Sequence, residues 1–208
     1  MTSSTRLAIL NVARDLFHEQ GLGGTSMRDI ARGAGLAQSS LYNHFKTKDE
    51  LVMAVMERSW EAVADPVGEI FDSLPPGVPL LREVLRAHAL QHSQPIKETM
   101  VFEWEGRNMP GAVRERTVQL RDLYERRFQD LATQLAACGC ISSHETRTKM
   151  KMILSMGRAL GSWFKPSGRL GAEDVAELYS DISLRSLEAD EGRCTGTGEP
   201  GAYYERSD

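Results

Sequence analysis

Between Thr25 and Phe45 the chain gathers a set of short hydrogen-bonding side chains, Gln38, Ser39, Ser40 and Asn43, with Tyr42 and His44 interleaved. Gln and Asn present a donor and an acceptor side by side, which matches the paired groups on the major-groove edge of adenine. Serine hydroxyls can bond a base edge or a phosphate. Leu41 and Phe45 are four residues apart and would fall together on the opposite face of one helix. A polar face over an apolar anchor is what a helix needs to enter a major groove.

A second candidate for chemistry is Cys138-Gly139-Cys140, with His144 four residues on. A metal site would need a fourth ligand and the usual two-to-four-residue cysteine spacing, and both are missing. The plainer reading is a helix end closed at Gly139 with two incidental thiols. A thiol- or metal-dependent enzyme is the rival that these residues raise. No nucleophile elbow, glycine-rich phosphate loop or full ligand set supports it, so we expect no enzyme, no cofactor and no metal. Cys194 makes the cysteine count odd, and a disulfide scaffold is not expected.

The elements that must position these side chains follow from apolar spacing. Leu7, Leu10, Ala13 and Phe17 mark an amphipathic helix over Thr5–Gln20, ended by Gly21. Thr25 reads as the N-cap of a short helix through Arg32, with Met27, Ile30, Ala31 and Ala34 inward. Gly35 allows the tight turn before a third helix, Gln38–Phe45. A fourth and longer helix spans about Asp49–Phe71. Beyond the Pro75-Pro76-Gly77 break, Leu81, Val84, Leu85 and His88 form the next stripe. Further helices are expected over Ile96–Glu105, from Met109-Pro110-Gly111 to Cys138, from Ser143 to Phe164 behind a Ser142-Ser143-His144-Glu145 cap signal, and over Ala172–Leu187. The fold class is therefore all-α, with nine helices and no sheet. It divides into residues 1–48, residues 49–187 and a disordered acidic tail over 188–208.

Bulk properties bound the function. The 208 residues are 41% hydrophobic and 26% charged, a globular composition. No apolar run approaches the ~18–20 residues of a membrane span, and the first residues lack a secretion signal, so the expected compartment is the cytoplasm and no membrane partner is expected. The net charge of −4 is unevenly spread: residues 1–60 carry seven Lys/Arg against six Asp/Glu, whereas the last 21 residues carry six acids and two arginines. Local positive potential is what helps at a phosphate, so the N-terminal end is the one suited to nucleic acid.

The run TSMRDIARGAGLAQSSLYNHF, followed by Lys46-Thr47-Lys48-Asp49-Glu50-Leu51, closely resembles the DNA-binding segment of the tetracycline-repressor (TetR) family. The resemblance covers about Leu7–Val55. It implies a three-helix helix-turn-helix head on a helical effector-binding and dimerisation domain, acting as a ligand-responsive repressor on palindromic double-stranded operator DNA. Gln38, Ser39, Ser40 and Asn43 then meet base edges and nearby phosphates, while Tyr42, His44 and Lys48 match positions that hold phosphates. Thr25 and Arg28, opening the second helix, touch the backbone as well. A scaffold that kept this fold but lost DNA binding is the alternative, and the intact Gln38–Lys48 run argues against it.

A further local run, Gly161-Ser162-Trp163-Phe164-Lys165-Pro166-Ser167-Gly168-Arg169-Leu170, resembles the linker of regulators of fatty-acid and steroid catabolism. It implies a small-molecule effector of the acyl-CoA thioester kind. Candidate pocket residues are His88, His92, Phe102, Trp104 and Arg107, with Phe128, Met152, Met156 and Trp163, although core packing explains most of them singly. Arg107 follows the acidic Glu103-Trp104-Glu105 run and reads first as their neutraliser. By the same resemblance the last two helices form a homodimer interface. The stripe Met150, Ile153, Leu154, Gly157, Leu160 and Gly161 and the stripe Val175, Leu178, Ile182 and Leu187 permit it.

Overall fold

The computed structural model describes residues 2–93, 109–190 and 192. Eight helices and no strand are found among them: α1 (Thr2–Gly24), α2 (Met27–Gly33), α3 (Gln38–His44), α4 (Lys48–Ser73), α5 (Val78–Ser93), α6 (Gly111–Ala137), α7 (Thr146–Trp163) and α8 (Ala172–Ser186). The all-α class stands. The ninth helix expected, Ile96–Glu105, lies outside the described residues, as do Phe102, Trp104, Arg107 and Cys194.

Helix α1 leaves helical geometry at Gly21, whose φ of 73° favours a residue without a Cβ. The N-cap of α2 is Ser26, not Thr25. The Ser26 hydroxyl accepts from the Asp29 N–H, and the Asp29 carboxylate accepts in return from the Ser26 N–H at 3.1 Å. Two unsatisfied donors of the first turn are thereby paired. Thr25 is buried instead, its hydroxyl directed at the Gly21 and Leu16 carbonyls at 2.9 and 3.2 Å, which closes the end of α1. Gly35, at φ 66°, turns the chain from α2 into α3 while the Leu36 N–H returns to the Ala31 carbonyl. The cap signal before α7 also resolves differently. Glu145 takes a left-handed conformation (φ 54°), and the Thr146 hydroxyl donates to the Ser142 carbonyl at 2.8 Å.

Two apolar cores result. One gathers Ile9, Leu10, Phe17, Ile30, Leu41 and Phe45 with Leu51, Val52, Val55 and Met56 of α4, and with Met109 and Val113 at the start of α6. The other gathers α5, α6, α7 and α8 around Leu81, Leu85, Phe128, Met150 and Leu154. Helix α4 contributes to both, so the cores meet along its length. Helix α5 runs through the second core, packing against α4, α6, α7 and α8. Arg116–Glu57 (3.0 Å) and Arg127–Asp72 (2.5 Å) tie α6 to α4 at the surface.

Candidate nucleic-acid interface and effector cavity

Helix α3 sits on the head by Leu41 and Phe45, both fully buried. Their burial fixes which face is presented. Gln38, Ser39, Tyr42 and Asn43 are exposed, and Ser40 and His44 are half-buried. Positions 38, 39, 42 and 43 share one side of a helix, so two amides, a hydroxyl and a phenol point outward together. Arg28 is exposed one helix earlier, next to the Arg32–Asp29 pair (2.5 Å).

Two expected backbone contacts are placed differently. The Thr25 side chain is turned into the head, as described above. Lys48 is half-buried, and its ammonium donates to the Leu22 carbonyl, tying the first turn of α4 to the end of α1. Sequence reasoning passed over Lys46, which is exposed at the end of α3 with its ammonium on the Tyr42 carbonyl (3.0 Å). It also passed over Arg6, whose guanidinium lies 4.9 Å from the Phe45 ring centroid. The Ser26-x-x-Asp29 spacing was the legible signal for the true start of α2.

In the second domain a groove of about 450 Å³ opens between α4 and α6. Trp60, Val67, Phe71, Leu120, Leu123 and Tyr124 line it, and the Arg127–Asp72 pair stands at its rim. Behind Tyr124 lies a buried polar array. His88 Nδ1 is 2.8 Å from the Tyr124 hydroxyl, and Nε2 is 3.1 Å from the Leu154 carbonyl. A carbonyl only accepts, so Nε2 carries a proton, and in the neutral ring Nδ1 then accepts from the Tyr124 phenol. Burial pushes the His88 pKa down to about 4, outweighing the Leu154 bond, which raises it. The His92 ring stacks edge-on at 4.6 Å, its pKa also lowered chiefly by burial, and its Nδ1 has no hydrogen-bond partner among the described residues. Phe128 is fully buried, with its ring 5.0 Å from Phe71 and 5.1 Å from Tyr124. His88 and Phe128 thus touch Tyr124 and Phe71 from behind the groove, while His92 contacts His88 and is not among the lining residues.

Known proteins match both parts of the chain. The family model for bacterial regulatory proteins of the tetR family matches residues 9–55, and that for tetracyclin repressor-like C-terminal domains matches residues 78–187. The chain belongs to the TetR family. It is a DNA-binding transcriptional regulator. The HTH-type transcriptional repressor KstR2 of Mycolicibacterium smegmatis is 25% identical over 194 residues, covering 91% of this chain and 94% of that protein. The TetR-family regulator PfmR from Thermus thermophilus superposes with a TM-score of 0.75 at 26% identity, over 85% of this chain and 97% of that one. AibR, solved in complex with isovaleryl coenzyme A and operator DNA, shares the fold (TM-score 0.78, 24% identity, 89% and 100% covered).

In this TetR-family chain most of the residues expected to face a partner copy are not the ones left uncovered. Met150, Ile153, Leu154, Gly157, Leu160, Val175 and Leu187 are buried in the chain's own core, and Gly161 is half-buried. Exposed on the outer sides of α7 and α8 are Met152 (68%), Trp163 (59%), Leu178 (51%), Ile182 (46%) and Met156 (40%). Of the residues expected at a partner-facing stripe, Leu178 and Ile182 are exposed. Met152, Met156 and Trp163, expected in the pocket, are far from lining it. Gly157 has a different role from the one expected. A Cβ there would run into the His88 ring and stand 3.0 Å from the Tyr179 hydroxyl, so this glycine makes room for a residue of its own chain. Among the described residues no cluster of three metal-ligating side chains occurs, and no helix is long and apolar enough to cross a membrane.

Proposed function

We propose that this regulator is a repressor that binds palindromic operator DNA as a homodimer and is released by a small-molecule effector. The observation that carries the DNA half is the outward face of α3, where Gln38, Ser39 and Asn43 stand exposed above a fully buried Leu41 and Phe45. Gln38 and Asn43 read bases, Ser39 and Ser40 bond bases or nearby phosphates, and Arg28, Tyr42 and His44 hold the backbone. Lys48 supports that surface from behind, and Thr25 faces DNA only through its main chain. Met152, Met156, Trp163, Leu178 and Ile182 form the face that pairs with a second copy, since single apolar side chains on a surface are ordinary but five large ones exposed on two successive helices are not.

The effector enters between α4 and α6. An apolar groove with the Arg127–Asp72 pair at its rim suits a ligand with an apolar body and one polar or charged group. An acyl-CoA thioester is the class favoured, on the Trp163–Leu170 linker and on AibR, which was solved with isovaleryl coenzyme A. Helix α4 belongs to both cores, so a ligand that bears on its second half also shifts the head. A coupling of ~1–3 kcal/mol suffices for induction. The protein acts in the cytoplasm, and no catalytic step is part of this reading.

The test is operator binding on the intergenic DNA upstream of the protein's own gene, followed by fluorescence anisotropy with and without a panel of acyl-CoA thioesters. Binding that one thioester releases supports the whole reading. Binding that no thioester releases keeps the repressor and discards the effector class, and absence of binding at modest salt favours a scaffold without DNA function.

A further inference from the structure

The joint between α6 and α7 carries two thiols that no part of the DNA-binding reading uses. Cys138 caps α6 and is exposed, whereas Cys140 is buried two residues later. Between them Gly139 adopts φ 77°, a conformation that curls the chain and that other residues resist. The turn is fixed by its main chain: the Cys138 N–H donates to the Gln134 carbonyl at 3.1 Å, and the Cys140 N–H to the Leu135 carbonyl at 2.9 Å. Their sulfurs face each other in direct contact at 2.7 Å, so closing a disulfide requires no long-range movement of the chain.

We propose that Cys138 and Cys140 form a reversible dithiol/disulfide site, oxidised by low-molecular-weight disulfides. The exposed Cys138 loses its proton to solvent, and its thiolate attacks one sulfur of the incoming disulfide. A Cys138–S bond forms, the reagent's S–S bond breaks, and one thiolate leaves and takes up a proton. Cys140 then gives up its proton and attacks the Cys138 sulfur, closing the intra-turn disulfide and expelling the second thiol. Two protein thiols are oxidised, and one small disulfide is reduced to two thiols. Burial of Cys140 keeps it from the reagent but not from its neighbour, which sets the order of attack. The turn is bonded to the end of α8, through the Ser142 N–H to the Leu187 carbonyl (2.8 Å) and the Asp190 N–H to the Cys140 carbonyl (2.9 Å), so oxidation occurs at a braced joint and not in a mobile loop.

The experiment uses the full chain with Cys194→Ser, so that only this pair can react. The protein is equilibrated with oxidised and reduced glutathione, acid-quenched, alkylated and weighed intact. The expected product has lost two hydrogens, takes up no alkylating reagent, carries no glutathione and is restored by dithiothreitol. With Cys140→Ser the intermediate is trapped as a glutathione adduct on Cys138. Because closure depends on the folded turn, the ratio of closed to glutathione-bound protein falls about tenfold when the same exchange is run in guanidinium chloride. A persistent adduct on Cys138 in the chain with both cysteines, two thiols that remain alkylatable, a disulfide-linked dimer, or a ratio unchanged by unfolding would each overturn the proposal.

Discussion

At the scale of single residues, the amides of α3 and the buried imidazoles of α5 behave in opposite ways, one set spent on solvent and DNA, the other withdrawn from both. Gln38→Ala or Asn43→Ala should weaken binding to the cognate operator by about 1–3 kcal/mol while leaving non-specific DNA affinity nearly unchanged, because base contacts discriminate and phosphate contacts do not. Arg28→Ala should instead weaken all duplexes alike and flatten the salt dependence; anisotropy titrations at several salt concentrations separate the two. His88 carries a prediction of another kind. Its pKa is lowered from 6.5 to about 4 in the folded chain, so below the unfolded value the unfolded state binds the extra proton and stability falls with falling pH. The loss develops between about pH 6.5 and 4 and reaches about 3 kcal/mol, with His92 acting in the same direction. Urea denaturation at pH 7 and pH 5 checks it, and His88→Asn should show the shallower pH slope.

At the scale of elements, most helices were legible because their apolar residues recur at three- and four-residue steps and Gly or Pro stands at their ends. The breaks at Gly21, Gly35 and Gly139 fall where the glycines stand, each with positive φ. Caps were harder. Thr25 and Ser26 are both good N-cap residues by type, and only the reciprocal Asp29 contact decides between them. Ser26→Ala should therefore cost about 1 kcal/mol in thermal or urea stability and loosen α2. The faces of α7 were harder still, because Met150, Ile153, Leu154 and Leu160 make one apolar stripe and Met152, Met156 and Trp163 make another. Periodicity finds both and cannot say which meets the chain's own α5. What decides is Gly157, whose missing side chain admits His88. Gly157→Ala should cost about 1–3 kcal/mol by forcing the His88 ring off its Tyr124 and Leu154 partners, a larger loss than any the better helix propensity of alanine could offset. The pocket residues suffered from the same ambiguity: His88 and Phe128 touch Tyr124 from behind the groove, but its walls come from Trp60, Phe71 and Leu123, which read as plain amphipathic helix.

At the scale of the whole molecule, operator recognition depends on two heads held at a spacing that only the partner-facing surface can set. In the proposed reading that surface is the exposed side of α7 and α8, and it can be tested apart from the fold. Met156 and Ile182 are exposed at 40% and 46%, so glutamate there disturbs little within one chain but places carboxylates in a desolvated, like-charged position once two copies meet. Met156→Glu with Ile182→Glu should therefore leave helix content and the urea midpoint at low protein concentration close to those of a wild-type monomer, yet sediment as a monomer where the wild type sediments as a dimer. Operator affinity should fall by at least tenfold with it, since one head alone grips one half-site. Ile153→Glu, buried in the chain's own core, should unfold the protein instead of merely separating it. If Ile153→Glu stayed folded and monomeric while the Met156/Ile182 pair remained dimeric, the inner stripe would be the interface and the packing of α5 against α7 would have to be wrong.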